Sequence, residues 1–323
     1  MLNYEEFKAE IMENIKDHLS EEYQDYGMKV SQITKSNGIQ YEGLTIAPEG
    51  NGPIVAPALN LTAAFREYVA GKSMEEILDT LANIRMENNS IPGNFNKEDM
   101  FKYETCKDRI NPRIVNTETN AAYLSDKPHV DFEDLSIMYA VRVFENETGF
   151  GEAVITNDLM EMWGVSVQDI HDKAMDNLSE KEPFISTLEG MLFGMDSSLD
   201  INELGDVSSS VPFFVLTNQQ KTKGSVMAIC PEVMDKITEQ LGDVYILPSS
   251  VHEVILVPAN LGGDVKDLAR MVKQINANEV KPEDRLSDNV YHYDPKEKKL
   301  ELADKFAARE AEKAEKKKDH DAR

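Results

Sequence analysis

Two short apolar runs, Val244–Leu247 and Val254–Val257, limit the folds open to this chain more than any other feature. Neither alternates with polar residues, so strands made from them must be covered on both faces rather than lie at a solvated edge. They sit inside a longer unit, Ser225–Asn278, that reads as strand (SVMAIC), helix (PEVMDKITEQLG), hairpin and helix (DVKDLARMVKQINAN). Each helix offers one apolar stripe: Val233, Ile237 and Leu241 in the first, and Val265, Leu268, Val272 and Ile275 in the second. Buried strands with helices to cover them predict an α+β protein, with antiparallel sheet elements and packed helices.

The rest of the chain fits that class. Residues 2–20 form an expected amphipathic helix, with Phe7, Ile11, Ile15 and Leu19 on one side. Met28–Thr34 and Ile39–Ile46 alternate about Ser36–Gly38 (SNG), a hairpin signal, and the loop PEGNGP (Pro48 to Pro53) ends the ribbon. Helices are expected over Leu59–Ala70 and Met74–Asn88, with Gly71 as the stop and Ser73 as N-cap, and over Lys97–Arg109 after a turn-rich Ser90–Asn96. Asn111–Pro112 should break that last helix. Strand character follows from Arg113 to Phe144, with a turn at Glu147–Gly149 and a partner strand at Gly151–Thr156. Two helices come next, Asp158–Trp163 and Val167–Leu178, with the ring of Trp163 placed to anchor one on the other. Residues 194–210 read as a loop or linker, Pro212–Asn218 as a buried strand, and Asn289–Asp294 with Lys298–Leu302 as two short strands. From Ala303 the chain is rich in Ala, Glu and Lys, a charged helical tail with too few apolar residues to pack strongly. Two lobes are expected, 1–110 and 111–302, followed by the tail 303–323.

Charge narrows the functional classes. The chain carries a net charge of −25, and the tail contributes none of the excess, so the body should repel nucleic-acid backbones and anionic membranes. Such a balance serves solubility, or, if concentrated on one face, mimics a nucleic acid or docks a basic partner. The two cysteines, Cys106 and Cys230, lie far apart without metal or disulfide spacing, which points to a reducing compartment. The opening residues are too acidic for a signal peptide, and no run approaches a membrane span. A cytoplasmic location is expected, with no membrane and no direct nucleic-acid contact.

The residues with most chemistry are in the turn PSSVHE (Pro248 to Glu253). Ser249 or Ser250 with His252 and Glu253 supplies the residue types of a nucleophile, base and orienting acid. Side chains so close on one turn rarely align that way, and neither serine sits in a G-x-S-x-G elbow; the competing reading has them bonding the turn's own backbone. A metal site is the second candidate, from His129, Asp131 and Asp134 and extending to His252; H-x-D places both side chains on one side of an extended segment. Acidic neighbours are common in a chain with 59 Asp and Glu, so chance is the alternative. His171–Asp172 is expected at the surface of its helix. Cys230 before Pro231 is either a thiol activated by a helix N-terminus or a buried, inert one. The glycines of PEGNGP and NLGGD (Asn260 to Asp264) form no phosphate-binding loop, and no cofactor is expected.

YILPSSVHEVILVP, WGVS (Trp163 to Ser166), LSDNVYHYD (Leu286 to Asp294) and the opening helix with its GLTIAP ribbon resemble domain-of-unknown-function family 5688 over about residues 1–302. The resemblance implies an uncharacterised protein of the kind found in gut Clostridia, and it supplies no catalytic residue. The first functional expectation is a non-enzymatic interaction or regulatory protein with an unknown protein partner, in one form accessory to mobile elements. The alternatives are a hydrolase or metal-dependent enzyme centred on the His252 turn, and an acidic nucleic-acid mimic.

Overall fold

The structure, a computed structural model of the chain, describes residues 1–48, 57–87, 98–146, 149–194, 198–208, 213–261 and 263–321; at 144, 146, 149 and 317–321 it describes the backbone alone. The expected loop at Pro48–Pro53 and turn at Ser90–Asn96 lie wholly or mostly outside these residues, as do parts of the Glu147–Gly149, 194–210 and Asn260–Asp264 segments. Among the described residues no helix is long and apolar enough to cross a membrane. The chain divides into two compact units, Met1–Asp99 and Met100–Arg323.

In the first unit, Asn3 and Glu6 form a capping box that starts the helix Tyr4–Asn14, and a 3-10 turn, Ile15–His18, carries its apolar stripe onward. Phe7, Ile11, Ile15 and Leu19 are all buried, as the spacing predicts. Strands β1 (Gly27–Thr34) and β2 (Gln40–Ala47) pair antiparallel about the SNG turn, where Asn37 and Gly38 take positive φ of 58° and 68°. A short β3 (Ala58–Asn60), read from sequence as part of a helix, adds to β2. Helices Leu61–Val69 and Met74–Glu87 follow, the second entered through a reciprocal Ser73–Glu76 box. Arg85 is buried, donating from Nε to Ile46 O at 2.7 Å with its guanidinium over Tyr23.

The second unit holds two antiparallel sheets. One comprises β4 (Ile110–Asn116), β5 (His129–Phe132), β6 (Leu135–Asn146) and β7 (Gly149–Val154), with β6 at its centre. The other has six strands: β8 (Pro183–Thr187), β9 (Phe214–Asn218), β10 (Val244–Leu247), β11 (Val254–Pro258), β12 (Tyr291–Asp294) and β13 (Lys299–Leu302), in the order β13-β12-β10-β11-β9-β8. The β10–β11 hairpin is therefore central and covered on both faces. Val244, Ile246, Val254 and Leu256 face a core with helix Pro231–Leu241, while Leu247, Ile255 and Val257 face Leu268 and Val272 of helix Val265–Asn278.

Several expectations fail here, among them the loop at 194–210, which holds a 3-10 turn at Ile201–Glu203 and a short helix at Leu204–Ser208. SVMAIC is a buried 3-10 segment, Gly224–Ile229, because burial on all sides marks a covered element without saying which kind. Lys97–Arg109 is not one helix; from Asp99 it breaks into two 3-10 turns about the short helix Tyr103–Cys106. The helical run does end before Asn111–Pro112, at Arg109, but Pro112 already lies inside β4, which an edge strand tolerates because its outer side needs no donor. Trp163 also reaches back along the chain: its Nε1 donates to Met100 O at 2.9 Å and its ring packs on Tyr103.

The tail is helical from Ala303 to Asp321, but its first turns pack. Phe306 stacks on buried His292 with ring centroids 3.7 Å apart, and Arg309 pairs with the buried carboxylates of Asp294 and Glu301. One aromatic and one guanidinium, aimed at buried partners, do what a low apolar content argued against.

Candidate functional site

The PSSVHE turn is tied down by its own residues. Ser250 Oγ accepts the His252 N–H at 3.0 Å, and Ser250 bridges to Arg285 through the backbone. The Lys223 N–H donates to His252 Nδ1 at 3.3 Å, which leaves the ring proton on Nε2, facing Asp284 Oδ1 at 3.2 Å. Both ring nitrogens are thus engaged away from Ser249 and Ser250. Burial pushes the Glu253 carboxyl up, against the opposing pull of His252 and Ser250.

The second set is also dispersed. His129 Nδ1 bonds Lys127 O at 2.8 Å and its Nε2 lies 3.8 Å from Asp131 Oδ1, while Asp131 accepts from Ser136 Oγ at 2.6 Å. Asp134 turns to the 286–291 segment, where it accepts from Ser287 Oγ at 2.7 Å, Asn289 Nδ2 at 3.0 Å and the Tyr291 hydroxyl. Among the described residues no three His, Cys, Asp or Glu side chains are grouped so as to hold a metal ion. Cys230 is buried and burial pushes its thiol up to about 11, overriding the helix N-terminus that would activate it. His171 is half-buried rather than at the surface, and bonds the Tyr139 hydroxyl at 2.9 Å.

What the His252 turn does is hold a neighbouring loop. Its carbonyl oxygen accepts from Gly224 N at 2.8 Å and Thr217 Oγ1 at 2.7 Å, and its ring accepts from Lys223 N. Asn218 closes the same loop onto itself, its side chain bonding Thr222 N at 3.2 Å and Thr222 O at 2.9 Å. Lys221 and Lys223 have positive φ of 50° and 57°, a conformation that costs energy away from glycine and persists where the surroundings enforce it. Gly224 cannot be larger: a Cβ there would lie 2.1 Å from Thr217 Oγ1 and 2.4 Å from Asn218 N.

This loop forms one wall of a small cleft of about 70 Å³, partly open to solvent, whose opposite wall is built from β4, β6 and β7. At its base Glu152, with 3% of its side chain exposed, joins two arginines: Arg142 Nε donates to it at 3.1 Å and Arg113 Nη2 contacts its other oxygen. Arg142 also lies over the Phe150 ring, 3.7 Å from its centroid. Burial pulls Arg113 down to about 10, so it stays protonated at neutral pH, and its Nε has no hydrogen-bond partner. Arg113, Arg142, Lys181 and Lys223 outnumber Glu145, Glu152 and Glu182 in the lining, a local cationic excess on a chain of net charge −25. The carboxamides of Asn111, Asn218, Gln219 and Gln220 supply both donors and acceptors. Partly apolar concavities with convergent polar groups are where ligands bind, and one this small suits a single polar group rather than a whole drug-sized molecule.

Sequence reasoning missed Arg113, Arg142 and Glu152. The signal was present: Arg142 interrupts the apolar run IMYAVRVF, and Glu152 stands directly opposite it across β6 and β7. Opposite charges in facing buried strands mark a pair that the fold must keep.

No curated protein and no solved structure matches the chain. A family of unknown function, DUF5688, matches residues 4–295 of it. The chain therefore belongs to the DUF5688 family, over nearly its full length.

Proposed function

We propose that the chain is a non-catalytic binding protein, an interaction or regulatory component of the cytoplasm, whose second unit takes its ligand in the cleft between the β4-β6-β7 sheet and the Asn218–Gly224 loop. The single observation that carries this reading is the pair of guanidiniums gathered on buried Glu152, Arg142 by a hydrogen bond and Arg113 by close charge contact. Arginines held in one orientation before a ligand arrives lose little entropy on binding it. The strained, doubly braced loop opposite supports the same reading, since unfavourable backbone persists where a binding geometry must be kept. The occupied ring of His252 favours binding over hydrolysis at that turn. A cytoplasmic location is supported by Cys106 and Cys230, both buried and neither in a disulfide.

The test is thermal unfolding of the full chain against a library of small metabolites and short peptides, in parallel with a Thr222→Trp variant whose indole fills the cleft. At least one compound class should raise the wild-type midpoint and leave the variant's unchanged. Equal stabilisation of both proteins, or none of the wild type, overturns the proposal. Ester or phosphoester turnover abolished by His252→Asn would restore the hydrolase reading.

A further inference from the structure

Glu145 lies at the mouth of the cleft with 38% of its side chain exposed, and its two oxygens are shared between the two walls. Oε2 accepts from Arg142 Nη1 at 2.8 Å, and Oε1 accepts from Gln220 Nε2 at 2.8 Å. The donors come from β6 and from the loop after β9, segments 75 residues or more apart in the chain, yet they converge on one carboxylate. Breaking this contact costs little, because exposed ion pairs contribute little. The Arg142 guanidinium would not follow Glu145 away, since its Nε stays on buried Glu152 and its face stays on Phe150. The Arg142 Nη1 donor would then face the cleft already held in place, with the exposed Gln220 amide beside it free to bond a new acceptor.

We propose, building on the cleft reading above, that the ligand carries a carboxylate, which displaces the Glu145 side chain and takes its bonds from Arg142 and Gln220. Glu145 is a built-in stand-in that keeps the empty site ordered and sets a threshold for occupancy. A carboxylate fits better than a phosphate. One of the two donors is a neutral amide, and the two acceptor positions to be taken over are those of a carboxylate's two oxygens. The same chemistry is offered by a free organic acid and by the C-terminus of a peptide.

Calorimetric titration of the full chain separates these. The probes are succinate, an N-acetylated tetrapeptide with a free C-terminus, the same peptide as its C-terminal amide, and inorganic phosphate. At least one carboxylate should bind and the amide should not. Glu145→Ala should tighten binding by about two- to fivefold, the worth of an exposed pair, and Gln220→Ala should weaken it. Both side chains are exposed, so neither change threatens the fold. Succinate binding without the peptide assigns a free acid, and the reverse assigns a chain terminus. Equal binding of acid and amide, phosphate binding as tight as the carboxylates, or a Glu145→Ala variant with unchanged affinity overturns the inference. If no carboxylate binds while a library compound still does so in a Thr222-dependent way, the inference falls and the cleft reading stands. If neither binds, both fall.

Discussion

Glu152 is the residue on which the cleft depends most. It is the shared counter-charge of Arg113 and Arg142, whose side chains are each 15% exposed. Removing one member of a buried ionic group leaves the others desolvated and uncompensated, which costs more than the intact group contributes. Glu152→Ala should therefore lower unfolding stability by about 3 kcal/mol, the lower end of the usual range because Arg142 retains Glu145. Urea denaturation measures it, and a loss below about 1 kcal/mol would mean that the two guanidiniums are solvated. His252 acts differently, through the loop it braces: it was the most conspicuous residue in the sequence, but its ring contacts Lys223 N and Asp284, while the cleft is lined by Lys223 beside it.

Helix Ala303–Asp321 divides into a docked part and a free-standing part. Truncation after Leu302 removes Phe306 from His292 and Arg309 from Asp294 and Glu301, and should lower the melting midpoint by several degrees; truncation after Glu312 should change it by a degree or two at most. Arg309→Ala isolates the ionic part, with an expected loss of about 2–3 kcal/mol at neutral pH, less than for a fully buried pair because the guanidinium is 28% exposed. Its pH dependence has a definite sign. Burial works to raise the Asp294 carboxyl, but Arg309 and the N–H groups of Lys296 and Glu297 together outweigh it and hold the group below its ordinary value. Its contribution is present above the unfolded value near pH 4 and is lost as pH falls through the folded one. The deficit of Arg309→Ala should accordingly be largest at neutral pH and narrow below about pH 4. A deficit that widens on acidification would contradict the pairing. The central hairpin and its two covering helices were legible in the sequence because continuous apolar runs and 3.6-residue stripes are direct records of burial. The docking of the tail was not legible, since it rests on two side chains whose partners lie in the preceding strands. The cleft was not legible either, because its walls come from segments about 110, 145 and 220 residues along the chain and only the fold brings them together.

Taken whole, the molecule is strongly acidic, with 59 Asp and Glu against 34 Lys and Arg, yet the acids are spread through both units and many are paired. A nucleic-acid mimic needs carboxylates along one face at phosphate-like spacing. Competition at physiological salt should therefore show no displacement of DNA from a DNA-binding enzyme at micromolar protein, and displacement lost on charge reversal of one face would put mimicry first. The general negative charge bears on the proposed cleft as well: it disfavours anions over the molecule at large, so a bound carboxylate needs a local group such as Arg113 and Arg142. Side-chain nuclear magnetic resonance tests that assignment most directly, following the Arg142 Nε–H and the Gln220 amide while a carboxylate probe is added. The Gln220 amide signals should shift on saturation and the Arg142 Nε–H, held by Glu152, should keep its bonded position. If the probe binds while both signals stay fixed, or shifts only residues outside the cleft, the site has been assigned to the wrong part of the molecule.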